Sequence, residues 1–197
     1  MAISKDFRFI GRLSLDFAQT GDMGYGARFE RLRSASELRR WLSLSPLRLP
    51  HVRISKADLE VARGLRSAVW RVASAILDST APKIGDVRLI NRLGRQPCMI
   101  HELAPDGRSI RWRKPTIQAA LATLAQDAIM LFGEPAQWSR LHRCENRGCR
   151  VIFYDESRPG RRRWCAPNRC GDRARARLYR QRHLPPESVN VHSIPRF

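Results

Sequence analysis

The sequence predicts an α+β protein in two parts: a mainly helical N-terminal domain with a β-hairpin or small sheet, followed by a small module stapled through cysteines. Three observations carry this prediction. Apolar residues recur at helical spacing in four separate stretches. A Pro105-Asp106-Gly107 turn signal interrupts them. Four of the five cysteines fall as two close pairs between residues 144 and 170. With 197 residues, the chain can bury roughly 70% of its unfolded surface and needs no disulfide for bulk stability. No apolar run approaches the roughly 18 residues of a membrane span, and Met1 to Phe9 lack the apolar core of a secretion signal. Membrane, fibrous and disulfide-scaffold classes are thereby excluded, and a cytoplasmic protein is expected.

Residues 7–18 mix apolar side chains with Gly11 and Arg12, then run through LSLDFA into a Gly-rich loop from Gly21 to Gly26. Ser36, Leu38, Trp41 and Leu42 predict a short helix stopped by Pro46. Ser55 caps a longer one, in which Leu59, Ala62, Leu65, Val69, Val72, Ala73 and Ile76 share a face. Val87, Ile90 and Leu93 mark a third helix over 85–95. Residues 99–103 and 109–112 form the arms of a hairpin around the Pro-Asp-Gly turn, with Cys98 a small buried residue where the first arm begins. Helical spacing returns from Thr116 to Phe132 through Ile117, Leu121, Leu124, Ala128 and Leu131. No phosphate loop, nucleotide fingerprint or nucleophile elbow occurs. No acid–base pair with a local partner stands out either, so a non-enzymatic role is expected.

Charge divides the chain. Lys+Arg number 37 against 18 Asp+Glu, a formal net charge of +19, and a field of this sign attracts polyanions. Lysine occurs only at 5, 56, 83 and 114. A GC-rich coding bias accounts for arginine over lysine, but not for the two-to-one excess over acids. Residues 139–183 hold 14 arginines and four acids, so charge density rises about threefold at residue 139. With Gly133-Glu134-Pro135 as the connection, the predicted layout is a domain over 1–135, a module over 139–184 and a Pro-containing tail over 185–197.

Cys144, Cys149, Cys165 and Cys170 form C-x4-C, fifteen intervening residues, then C-x4-C. Two close pairs at this separation suit a tetrahedral four-thiolate zinc site, each pair gripping one side of the ion. Four thiolates leave no position for a catalytic water, so such a zinc is structural. Two disulfides, or unliganded core thiols, are the competing readings, and a reducing compartment disfavours the disulfides. Gly148 and Gly171 supply flexible backbone at the two turns. His142 reads as a surface or packing residue.

Val151 to Tyr154 favours a strand, residues 155–160 mark a turn, and Arg161-Arg162-Arg163-Trp164 returns to Cys165, predicting a hairpin between the two pairs. DRARARLYRQRH, from Asp172 to His183, reads as a helix with Cys170, Ala174, Leu178 and Gln181 on its inner stripe. Knuckle, hairpin and a helix opening on the last cysteine is the order of a treble-clef finger. The candidate nucleic-acid contacts are Arg158, Arg161, Arg162 and Arg163 on the turn, and Arg173, Arg175, Arg177, Arg180 and Arg182 on the helix. Guanidinium groups bind phosphates, and one or two can reach guanine edges in a major groove. The competing reading is a solvated arginine face, or a face for an acidic protein. Trp164 and Tyr154 read as packing residues.

CENRGC at 144–149, FYDESR at 153–158, RRRWC at 161–165 and APNRCGDR at 166–173 resemble the CGNR zinc-finger family over about residues 140–183. The resemblance implies that the four cysteines are zinc ligands. Asp172 stands where the family's name-giving Asn is expected. As a carboxylate it is expected to cap the following helix through the Ala174 or Arg175 amide, and it places a negative charge near the binding surface. The N-terminal part is similar, more loosely, to the ABATE domain, on Gly11, LSLDFAQT at 13–20, Leu38 to Leu42, LRSAVWR at 65–71 and the helix through Asn91 and Leu93. Gln19 stands where Asn is expected. This likeness implies an α+β domain and a stress-linked bacterial transcription regulator.

The expected protein is therefore a DNA-binding regulator whose N-terminal domain senses a small-molecule effector or a partner. Asp16, Arg66 and Asn91 are candidates for a sensor cleft, and equally for packing or capping. A lone finger covers a small footprint, so a homodimer is expected on DNA. The alternative is a zinc-stabilised protein- or RNA-interaction module without sequence-specific DNA binding.

Overall fold

The computed structural model describes Phe7, residues 9–21 and residues 30–183. The predicted loop beyond Gly21 falls largely outside the described residues, and the tail over 185–197 lies wholly outside them. Among the described residues, five helices build the N-terminal region: α1 (Leu13–Ala18), α2 (Ala35–Leu44), α3 (Lys56–Leu77), α4 (Ile84–Gly94) and α5 (Ile117–Phe132). Between α4 and α5 lies an antiparallel hairpin of β1 (His101–Leu103) and β2 (Ile110–Trp112). A 3-10 turn (Pro135–Arg140) leads to β3 (Leu141–Arg143) and β4 (Ile152–Tyr154), which pair antiparallel, and α6 (Asp172–His183) ends the described chain.

The helices form where local chemistry starts them. Ser55 accepts the Asp58 amide and Asp58 reaches back to the Ser55 amide, closing a capping box on α3. In α2 the same device is Ser34 with Glu37, so the cap lies two residues ahead of the predicted Ser36. Thr116 accepts the Ala119 amide at 3.1 Å at the start of α5. The sequence LSLDFA is helical although six residues are too few to nucleate a helix alone. Its start is supplied by α5: Asp127 accepts the Ser14 amide at 2.9 Å and the Ser14 hydroxyl at 2.5 Å. Burial of Leu15 and Phe17, the latter against the Trp41 ring at 4.8 Å, holds the rest.

The main core gathers Phe17, Leu38, Trp41 and Leu42 with the inward faces of α3 and α5. Helix α3 is central, with α1, α2, α4 and α5 all packed on it. Gly94 permits the close approach of α4 to α5, since a Cβ there would lie 2.5 Å from the Ile129 methyl. The first hairpin turns at Asp106, whose carboxylate accepts the amides of Arg108 and Ser109 while Gly107 takes φ +62°. Cys98 is half-buried just ahead of β1, not the fully buried residue expected.

The C-terminal module differs from expectation in its pairing. The predicted Val151–Tyr154 run forms a strand over Ile152–Tyr154, but its partner is Leu141–Arg143 and not Arg161–Trp164. The hairpin therefore encloses the first cysteine pair instead of separating the two pairs. The reason is burial. Leu141, Ile152 and Tyr154 point from one face of this hairpin into the helical core, whereas Phe153 points from the other face into a second core with Cys144, Val151, Cys165 and Cys170. The Arg161–Trp164 segment, rich in charge, has no such two-faced apolar pattern. Arg143 adds an ion pair to Asp78 at the end of α3, at 3.0 Å.

Helix α6 is also corrected in its orientation. Leu178, expected on an inner stripe, is 52% exposed and Gln181 is exposed, while Ala174 and Arg177 are the half-buried positions. No residue of α6 is fully buried. The helix is held at its start by the cysteine core and along its side by Arg177, which donates to the Asn146 side chain at 3.4 Å.

Candidate metal centre and nucleic-acid interface

The four predicted cysteines converge. All four Sγ atoms lie within 4.8 Å of one another, with Cys149–Cys165 at 3.8 Å, Cys165–Cys170 at 3.7 Å and Cys149–Cys170 at 3.8 Å. A tetrahedron with metal–sulfur bonds of about 2.3 Å has edges of about 3.8 Å. The donor set therefore fits zinc in both chemistry and spacing. The thiols compete for charge among themselves. Hydrogen bonds from Cys149 and Cys165 hold Cys144 down to about 2, and the same contact with Cys144 pushes Cys149 up to about 11. Cys165, contacting both Cys144 and Cys149, is pushed well above the usual thiol range. A divalent cation at their centre satisfies all four as thiolates and removes that conflict.

Two local devices bring the sulfurs together across C-x4-C spacing. In the first pair, the Cys149 amide donates to the Asn146 carbonyl at 2.9 Å and Gly148 takes φ +77°, a conformation that side chains oppose. In the second, Pro167–Gly171 is a π-helical turn, with the Gly171 amide donating to the Ala166 carbonyl at 3.2 Å. That wider turn absorbs the extra residue relative to a tighter knuckle. Gly171 is thus helical, and a Cβ there would meet the Trp164 ring at an ordinary contact distance of 3.5 Å, so this turn does not demand the flexible backbone expected of it.

The segment between the pairs is organised by Asp155. This buried carboxylate accepts the Ser157 amide at 3.0 Å and the Arg162 amide at 2.8 Å. Burial opposes its charge, yet these amides and the Arg162 guanidinium hold its pKa below the usual carboxylate value. Arg140 clamps the same turn through the carbonyls of Asp155 and Ser157, both at 2.9 Å. His142 packs against the Phe153 ring at 5.7 Å, as a packing residue should.

The C-terminal residues 140–183 match the CGNR zinc finger, and residues 11–135 match ABATE, described as "putative stress-induced transcription regulator". The chain belongs to the ABATE family. No curated protein matches the chain. In this ABATE-family chain, the finger brings four cysteines close enough to hold a zinc ion. No helix among the described residues is long and apolar enough to cross a membrane.

The nine arginines singled out from the sequence divide into two groups. Arg162 lies over the Phe153 ring at 5.2 Å and donates to the Cys165 carbonyl at 3.1 Å. Arg163 pairs with Glu145, Arg175 with Asp172, and Arg177 with Asn146. These four carry structural contacts. Arg158, Arg161, Arg173, Arg180 and Arg182 are exposed, and their guanidinium groups have no partner among the described residues. Asp172 binds the Arg175 side chain and not a backbone amide, so the expected cap is replaced by an ion pair. Two further arginines, Arg147 and Arg169, share the exposed, unpartnered state. The sequence signal for them is the Asn-Arg dipeptide repeated within each cysteine pair, at 146–147 and 168–169.

The three cleft candidates of the ABATE region lie on α1, α3 and α4. Asp16 is buried in α1, where its Oδ1 accepts the Ile10 amide at 2.9 Å. Burial pushes its carboxyl up to about 7, against the amides of Ile10 and Gly11, which lower it; Asp127 and Glu156 raise it further. Arg66 is buried on α3, bound to both oxygens of Glu30 and to the Thr20 carbonyl. Asn91 is exposed on α4. No partner is shared among the three within the described residues.

Proposed function

We propose that this ABATE-family chain is a DNA-binding transcription regulator. Zinc holds the finger together, exposed arginines around it bind DNA phosphates, and the helical region receives a small-molecule or protein signal. The observation that carries this reading is the set of seven exposed guanidinium groups in the cysteine module (Arg147, Arg158, Arg161, Arg169, Arg173, Arg180 and Arg182) that have no partner among the described residues. A guanidinium without an internal acid is free to neutralise a phosphate and release its counterion. The shared β3–β4 hairpin supplies a physical route between the helical region and the finger.

The test is fluorescence anisotropy of the zinc-loaded chain against random duplex DNA, single-stranded RNA and an acidic polypeptide at several salt concentrations. Duplex DNA is expected to bind best, with log affinity falling against log salt at a slope of roughly −4 to −7. A flat salt response, or equal binding to all three polymers, would count against a DNA regulator.

A further inference from the structure

Helix α6 exposes an ordered surface that the zinc centre does not use. Its inner side is fixed by the half-buried Ala174 and by Arg177 on Asn146. Asp172, Ala176, Tyr179 and His183, at i, i+4, i+7 and i+11, then fall in one line on the opposite, solvent side. Tyr179 is 64% exposed, and its ring stacks on His183 at 4.2 Å with 18° between planes. The His183 Nδ1–H donates to the Tyr179 carbonyl at 2.9 Å, and Nε2 has no partner among the described residues. On one flank of this line lie Arg173 and Arg180, on the other Arg175 and Arg182. Each pair is seven residues apart, roughly 10.5 Å along the axis.

We infer that α6 lies in the major groove of B-form DNA, with Ala176, Tyr179 and His183 toward base edges and the two arginine flanks on opposite phosphate backbones. This rests on the DNA-binding reading above and specifies its geometry. A helix about 10–12 Å across fits a groove about 12 Å wide, and cations on both sides of a central line match phosphates on both rims. The minor groove, about 6 Å wide, is too narrow, and the major groove of A-form RNA is too narrow for side chains to read. A helix with no fully buried residue, an exposed aromatic pair and three flanking arginines (Arg173, Arg180 and Arg182) that lack an acid among the described residues gains from DNA what the protein does not give it, while Arg175 is shared with Asp172. Ala176 lets the helix come close and can meet a thymine methyl, while the Tyr179 hydroxyl and His183 Nε2 supply polar contacts.

The test uses the full chain and a pool of random duplexes, with the corresponding RNA duplexes alongside. Three paired variants are compared: Arg173→Gln with Arg180→Gln, Tyr179→Ala with His183→Ala, and a charge-matched control, Arg88→Gln with Arg92→Gln, on the exposed face of α4. Zinc content and helical signal are checked in each, and none of these side chains is buried. The arginine pair on α6 should flatten the log–log salt slope by about 1–2, and the control should not. The Tyr179/His183 pair should keep the slope but lose the sequence enrichment that the wild type selects from the pool. If the wild type fails to bind duplex DNA, the functional reading itself falls. If it binds DNA while both α6 variants match the control, DNA is held elsewhere and the groove assignment is wrong. Equal affinity for duplex RNA overturns the groove assignment as well.

Discussion

Ile152 and Phe153 are adjacent in β4 and belong to different hydrophobic cores. Ile152 is packed with Leu141 into the helical region, and Phe153 with Cys144, Cys165 and Cys170 beneath the metal centre. One peptide bond thus joins two cores that the chain builds from distant segments. Ile152→Ala should cost about 2–5 kcal/mol of stability by leaving a cavity in the helical core. Phe153→Ala should damage zinc retention as well, because it removes the floor of the cysteine cluster. Thermal unfolding together with zinc stoichiometry separates the two effects; equal zinc loss in both variants would contradict the division.

Chelation of zinc should lower the melting temperature of the whole chain, not of the finger alone. Loss of the ion frees Cys144 and Cys149 in the loop that joins β3 to β4, and one face of that hairpin is part of the main core. Structural zinc sites contribute directly to folding free energy. Far-UV circular dichroism with and without chelator checks this. An unchanged transition for the helices would show that the hairpin does not couple the two regions.

Asp155→Ala should weaken zinc binding about tenfold without touching a ligand. The substitution strips the acceptor from the amides of Ser157 and Arg162, and Arg162 holds the carbonyl of Cys165. Asp155→Asn, which keeps one acceptor oxygen, should recover part of the loss. Competition with a metal-sensitive dye reads the affinity directly.

Asp16 predicts an inverted pH dependence. Its folded pKa is raised from 3.8 to about 7, so the folded state binds this proton more tightly than the unfolded chain does. Its contribution to stability is therefore fully present below the unfolded pKa and is lost as pH rises through about 4 to 7. Asp16→Asn, which mimics the protonated acid, should gain on the wild type across that interval by an amount on the order of 1–4 kcal/mol, then run parallel above it. Urea unfolding at pH 4.5, 6 and 8 measures the difference. A constant difference across pH would refute the assignment.

Much of this architecture was legible from side-chain periodicity. The faces of α3 and α5 and the Asp106 turn depend on contacts within a few residues, so local pattern reported them. The cysteine centre was legible because four identical donors at regular spacing admit few arrangements. The pairing of β3 with β4 was not, because a three-residue strand such as Leu141–Arg143 carries almost no pattern, and its partner is chosen by burial on two sides. The inner face of α6 misled for a related reason. Leu178 promised a buried stripe, but among the described residues no core lies beneath the second half of that helix, and an arginine with its Asn146 partner takes the inward position. Arg162, Arg163 and Arg175 look like free charge in the sequence, and only the fold shows the phenyl ring and the two acids that occupy them.

The double-faced hairpin also bears on how such a protein is inherited. A finger moved onto another chain would carry Leu141 and Ile152 with it, and those side chains need a matching hollow in the recipient. Substitutions at 141 and 152 should accordingly track changes in α1 and α3, whereas position 153 should answer to the cysteines and the finger residues packed on it, His142 and Arg162. The two regions are then fitted partners that must descend together, although each has its own recognisable sequence signature.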